Sequence, residues 1–165
     1  MRPLRELTVV ATNPRRAEAL AELLALELNG VRIRTTTDAE SAVGEADIVC
    51  CATNATSPIF REQALPAQIH VNAIGAFRPT MRELPDELLA NSTVIIDDLG
   101  AILEESGEIL HALKANAITQ GDLTELGTAL SAPAAPGSKR TVFKTVGVAM
   151  QDWAVTRLLA DKFLS

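Results

Sequence analysis

The stretch with the most chemical potential runs from Val71 to Leu84, where Val71-Asn72-Ala73-Ile74 gives way to Gly75-Ala76 and then to Phe77-Arg78-Pro79. It reads as an apolar strand ending in a small-residue corner, followed by a polar turn. In an open parallel α/β sheet, ligands lie at the carboxyl ends of the strands. Gly75 and Ala76 carry no bulky side chain, so a flat ring can approach the backbone there. An ordinary strand-to-loop turn carries the same signature.

Other reactive groups have blander uses. His70 and His111 lack Cys, Asp or Glu partners at ligand spacing, so no metal site is expected and His70 suits a packed or hydrogen-bonded place at a strand start. Ser57 and Ser106 lack the G-x-S-x-G setting of a hydrolase nucleophile. Asp97-Asp98 can pair for metal or proton work, but acids at a strand end more often cap the next helix. Glu104 and Glu105 fit a solvated helix face as well as a site. Thr12, Asn13, Arg15 and Arg16 follow a strand ending at Ala11, where a dinucleotide fold holds the adenosine ribose. Basic or hydroxyl groups there tolerate a 2′-phosphate, and no acid occurs before Glu18. A capped helix with solvated arginines is the other reading.

The elements that must position these residues alternate in type. Strands are expected over Leu7–Ala11, Val31–Thr35, Asp47–Ala52, Ile69–Ile74, Thr93–Asp98 and Thr141–Lys144. Asn13 or Thr12 can cap a helix that begins at Pro14, carries Ala17, Leu20, Ala21, Leu24 and Leu28, and stops at Asn29-Gly30. Further helices are expected over Asp38–Ala46, Glu83–Ala90, Glu104–Leu113, Asp122–Leu130 and Val146–Phe163. The continuous apolar run at Ile48–Ala52 suggests a strand covered on both faces. The last helix is apolar over more than one face, which suggests a second contact surface. Such alternation makes an α/β domain with a mostly parallel sheet. Residues 131–138, rich in Ser, Ala, Pro and Gly, read as an internal loop within a single domain spanning residues 1–165.

Composition narrows the partners. With 165 residues, 47% hydrophobic, the chain can build a real core. A net charge of -6 and 3% aromatics, with no basic stripe, argue against nucleic acid. The vicinal Cys50-Cys51 pair is a poor staple and suggests a reducing cytoplasm. No apolar run approaches the roughly 20 residues that span a bilayer, so no membrane role is expected. The nine glycines nowhere form G-x-G-x-x-G, so the phosphate cradle of a dinucleotide fold is absent from this chain.

Taken in order, Ala46-Asp47-Ile48-Val49, Thr53, Pro58-Ile59, His70 through Ala76, Arg82-Glu83-Leu84, Asp97-Asp98, Glu105-Ser106-Gly107 and Thr141 through Gly147 form a specific set. The sequence resembles the ornithine cyclodeaminase/mu-crystallin family over nearly its whole length. That resemblance implies a Rossmann-like fold and a cytoplasmic, NAD(P)-dependent homodimer acting on a small imine or amino acid. NADPH is favoured over NADH. It also implies cofactor contacts at Thr12, Asn13, Arg15, Thr53, Asn54, Ile74, Gly75 and Thr145, and substrate contacts at Phe77 and Glu105. The cyclodeaminases place a catalytic Asp just after the Gly-Ala corner, where this chain has Phe77. A phenyl ring moves no proton, so the expected activity is reduction of cyclic imines or ketimines of the pyrroline- or piperideine-2-carboxylate type. Ornithine cyclodeamination or amino-acid dehydrogenation is the alternative, and a truncated non-catalytic protein is a third. The catalytic acid has no candidate. The resemblance further implies that the family's substrate domain, first Rossmann strand and glycine-rich turn lie outside this chain. An open strand edge and weak or absent cofactor binding by the chain alone are then expected.

Overall fold

A computed structural model describes residues 3–131 and 140–163, which include every expected site residue. The chain divides into two compact units, one of residues 1–46 and 63–66, the other of residues 47–62 and 67–165. Apart from Ser131, the expected internal loop lies outside the described residues.

The first unit is a βαβ element. Strand β1 (Glu6–Val10) pairs in parallel with β2 (Arg32–Thr36) across helix α1 (Pro14–Glu27). Asn13 caps α1 by accepting a bond from the Arg15 amide at 3.1 Å, and Pro14 takes the first turn, where its missing N–H costs nothing. Gly30, at φ +80, makes the left-handed turn after α1 that a side chain would resist. Asp38 caps α2 (Ala39–Gly44) through the Ser41 amide at 3.1 Å.

The second unit is a five-stranded parallel sheet. Its strands are β3 (Ile48–Cys51), β4 (Ile69–Ala73), β5 (Thr93–Ile96), β6 (Leu123–Glu125) and β7 (Arg140–Lys144), in the order β3-β4-β7-β5-β6. The last strand in sequence thus lies at the centre, between β4 and β5. Its Val142 and Lys144 share one fully buried face. Helices α3 (Asp86–Ala90), α4 (Leu99–Glu105), α5 (Gly107–Lys114), α6 (Leu126–Ser131) and α7 (Ala149–Phe163) complete the unit.

Four expectations are corrected. The Glu83–Ala90 helix begins only at Asp86, because Pro85 at its N-cap is extended and Glu83 is turned inward. The Glu104–Leu113 helix is two helices that meet at Ser106, whose amide ends α4 on the Ile102 carbonyl and whose hydroxyl caps α5. Asp122–Leu130 holds a short edge strand, β6, before α6; three residues are too few to show a period. Strand β3 is not covered on both faces, since Ile48 is 53% exposed and Cys50 is exposed. Among the described residues, neither β1 nor β3 is paired along its second edge. Helix α7 has no buried residue, and Met150, Trp153, Leu158 and Phe163 are exposed along it. No helix among the described residues is long and apolar enough to cross a membrane.

The two cysteines part company across the strand pleat. Burial first, and then the charges of Glu83 and Glu108, hold the Cys51 thiol well above its usual range. The reactive species is the thiolate, so Cys51 should be inert. Native protein treated with a disulfide reagent should therefore label quickly at Cys50 alone, and Cys50→Ser should abolish that fast phase. Equal labelling of both thiols in the folded chain would contradict the assigned register.

Candidate active-site depression

At the carboxyl ends of β3 and β4 lies an open depression of about 410 Å³, lined by Ala52, Thr53, Asn54, Ile74, Gly75 and Phe77. Parallel pairing of β3 with β4 brings these strand ends side by side, with the Ile74 amide donating to the Cys51 carbonyl at 2.9 Å. The wall is apolar where Ile74 and Phe77 stand out, 48% and 44% exposed. Arg78 lies over the Phe77 ring at 5.3 Å. Backbone and the short polar side chains of Thr53 and Asn54 make the other wall. Five residues expected from the sequence (Thr53, Asn54, Ile74, Gly75 and Phe77) thus come together here.

A sixth, Thr145, follows the neighbouring strand β7, its amide bonded to the Ala73 carbonyl at 3.2 Å. Its hydroxyl donates to Asp97 Oδ2 at 2.5 Å and accepts from the Gly147 amide at 3.1 Å. The same Asp97 oxygen also accepts from the Val146 and Gly147 amides, so this acid at the end of β5 ties down the start of the β7–α7 turn. Asp98, by contrast, caps α4 through the Ala101 amide at 2.8 Å. Glu105 ends α4 as an exposed residue and is not among those lining the depression. Thr12, Asn13 and Arg15 are exposed at the β1–α1 turn of the first unit. His70 bonds Thr141 Oγ1 at 2.7 Å and Asn72 Oδ1 at 3.2 Å, a structural role.

The small-residue corner has a different physical cause from the one its sequence suggests. A Cβ on Gly75 would overlap the Thr53 backbone and Glu83 Oε1, so the missing side chain makes room for the protein's own carboxylate. Glu83 is fully buried. Its Oε1 accepts from the Thr53 amide at 2.5 Å, and its Oε2 from the Gly75 and Ala76 amides at 2.8 and 3.2 Å.

Behind Glu83 sits a second buried group. The Glu83 amide donates to Glu108 Oε2 at 2.9 Å. Lys144 Nζ stands 3.1 Å from Glu108 Oε1, close enough for an ion pair though not aligned as a hydrogen bond, and both side chains are fully buried. Lys144 also donates to the Ala76 carbonyl at 2.6 Å and to that of Ala73 at 3.3 Å. Burial raises the Glu108 carboxyl above its ordinary range, against the opposing pull of Lys144 and the Glu83 amide. Gly107 allows this approach: a Cβ there would overlap the carbonyls of Arg78, Pro79 and Met81. Residue-level reasoning missed Glu83, Glu108 and Lys144. One signal was available for Lys144, since strand alternation puts it on the face of Val142.

The sequence model of the ornithine cyclodeaminase/mu-crystallin family matches residues 1–165. The chain belongs to that family. Among its relatives, a Delta(1)-pyrroline-2-carboxylate reductase of Bacillus cereus is 38% identical over 131 residues, 76% of this chain and 40% of that protein. The ketimine reductase mu-crystallin of Mus musculus is 36% identical over 135 residues, 81% of this chain and 41% of its own length. A solved structure of Thermococcus litoralis Delta(1)-pyrroline-2-carboxylate reductase, in complex with NADH and L-proline, superposes with a TM-score of 0.89 at 29% identity. That superposition covers 97% of this chain and 50% of the other. The chain therefore spans two-fifths to half the length of these family members. Its parallel sheet with flanking helices is the Rossmann-like fold of the family.

Proposed function

We propose that this chain forms the nicotinamide-side part of an NAD(P)H-dependent reductase acting on cyclic imines or ketimines of the pyrroline- or piperideine-2-carboxylate type. The observation that supports it most is the depression at the ends of β3 and β4, where Ile74 and Phe77 offer apolar surface beside the Thr53 and Gly75 backbone. Such a surface suits one face of a flat, partly apolar ring. When bound, a reduced nicotinamide supplies the hydride that a protonated C=N carbon accepts. The chain's own part is to hold the ring's face and to exclude water from it. The Thr145 hydroxyl spends its proton on Asp97, so towards a ligand it can only accept, as a carboxamide N–H would require. Phe77 and Glu105 remain the proposed substrate contacts, with Glu105 as a charge partner for an iminium.

NADPH is proposed over NADH, because the β1–α1 turn presents Thr12, Asn13, Arg15 and Arg16 and no acid before Glu18. Self-association, or docking of another domain, on the exposed apolar residues of α7 belongs to the same reading. The test is to assay the natural protein, as its own cells make it, with Δ1-pyrroline-2-carboxylate and with ornithine, each with the matching nicotinamide cofactor. Consumption of NADPH with the imine, and none of the cyclodeaminase product from ornithine, is the expected outcome. Ornithine turnover would install the cyclodeaminase reading, and no saturable NADPH or NADH binding at all would install the non-catalytic one.

A further inference from the structure

We propose that Glu83 is a positioning residue for the nicotinamide-binding wall, acting through the backbone of the two loops that form it. The proposal rests on the reductase reading and adds to it a residue that touches neither ring nor substrate. Its basis is convergence. Three amides from two separate loops, Thr53 after β3 and Gly75 and Ala76 after β4, point at one carboxylate, at 2.5, 2.8 and 3.2 Å. Thr53 and Gly75 line the depression, whereas Glu83 lies beneath them with no exposure to solvent. Each oxygen serves one loop, so the side chain sets the separation of the two loops and not only their stability.

The carboxylate is itself immobilised. Its backbone amide is held by Glu108 Oε2, and its carbonyl accepts from the Ile59 amide at 3.0 Å. The preceding Arg82 amide donates to the Ala55 carbonyl at 2.8 Å, which ties residues 82–83 to the far side of the Thr53 loop. Gly75 lacks the one atom that would push its loop off the carboxylate. A glutamine of equal size has only one acceptor oxygen, so its NH2 group must oppose either the Thr53 amide or the Gly75 and Ala76 amides. One wall of the depression then moves relative to the other while the core keeps its volume.

The experiment compares the natural protein with its Glu83→Gln variant by NADPH titration, well below the unfolding temperature of each. The expected result is a folded variant whose Kd for NADPH is raised about tenfold or more, as for loss of a charged buried hydrogen bond. Its kcat for the imine should fall, and the imine KM should move less, because ring placement governs the hydride step. A variant that melts at lower temperature yet binds NADPH as tightly as the unchanged protein would make Glu83 a structural residue and overturn the proposal. Should Glu83→Gln fail to fold, hydrogen exchange on the unchanged protein decides. NADPH should slow the Thr53, Gly75 and Ala76 amides further, and unaltered exchange at all three would overturn the proposal. An unchanged protein that binds no NADPH refutes the reductase reading itself, a result visible before any variant is made.

Discussion

Gly75→Ala is expected to cost the second unit at least about 3 kcal/mol of stability, the upper end of ordinary overpacking, because the obstacle cannot move aside. Two of the three atoms its Cβ would overlap are the Thr53 backbone nitrogen and oxygen, and the third is the Glu83 carboxylate. A flexible side-chain tip could rotate away, but the Thr53 amide is itself bonded to Glu83 Oε1. Relief therefore means separating the two loops and leaving buried donors without partners, which adds to the steric cost. Gly127, in exposed α6 with nothing within 4 Å of its would-be Cβ, is the matched control. There the same change should stabilise by roughly 0.5–1 kcal/mol, since alanine loses less chain entropy in a helix. Urea unfolding of both variants measures the contrast. Equal midpoints for Gly75→Ala and the unchanged chain would mean that the corner relaxes freely, and the Glu83 cradle would lose its claim to rigidity.

Lys144→Met should be comparably damaging, by about 3–5 kcal/mol, because it strands a buried carboxylate. Lys144 and Glu108 have no solvent exposure, and the Ala76 carbonyl also loses the Lys144 donor, whereas that of Ala73 keeps the Thr145 amide. The loss should depend on pH in a definite direction. Burial already lifts the Glu108 carboxyl above its ordinary 4.5, and Lys144 is the largest influence drawing it down. Without Lys144 the folded-state value rises further. A group whose value is higher in the folded than in the unfolded state contributes most below the unfolded value, and loses that contribution as pH rises through the folded one. The variant's deficit should thus be largest near neutrality and shrink toward about pH 5, as Glu108 takes up a proton within the fold. Adding Glu108→Gln removes the stranded charge and should recover part of the loss at neutral pH while still accepting the Glu83 amide. Denaturant titrations at about pH 5 and about pH 8 distinguish these outcomes. A deficit that grows on acidification would show that Glu108 is not the group left exposed to the energetic penalty.

What could be read from residue order alone was whatever is decided within a few positions along the chain. Asn13, Asp38 and Asp98 cap helices because each side-chain oxygen meets an amide two or three residues ahead. Strand runs such as Ile69–Ala73, the α/β alternation and the family likeness are local or ordered patterns of the same kind. So is the placing of Thr53, Asn54, Ile74 and Gly75 at strand ends, since a parallel sheet gathers all such ends on one side. Tertiary structure decided the rest. It set β7 between β4 and β5, gave β5 an edge partner, β6, too short to announce itself, and left β3 half-exposed despite its unbroken apolar run. It also joined Glu83 to Thr53 across 30 positions and Lys144 to Ala76 across 68. Composition and periodicity carry no information about bonds of that span, because burying a charge becomes tolerable only once its partners have been delivered by the fold. The smallness of Gly75 was visible in the sequence; that the space is filled by the chain's own carboxylate emerged only when the two loops met.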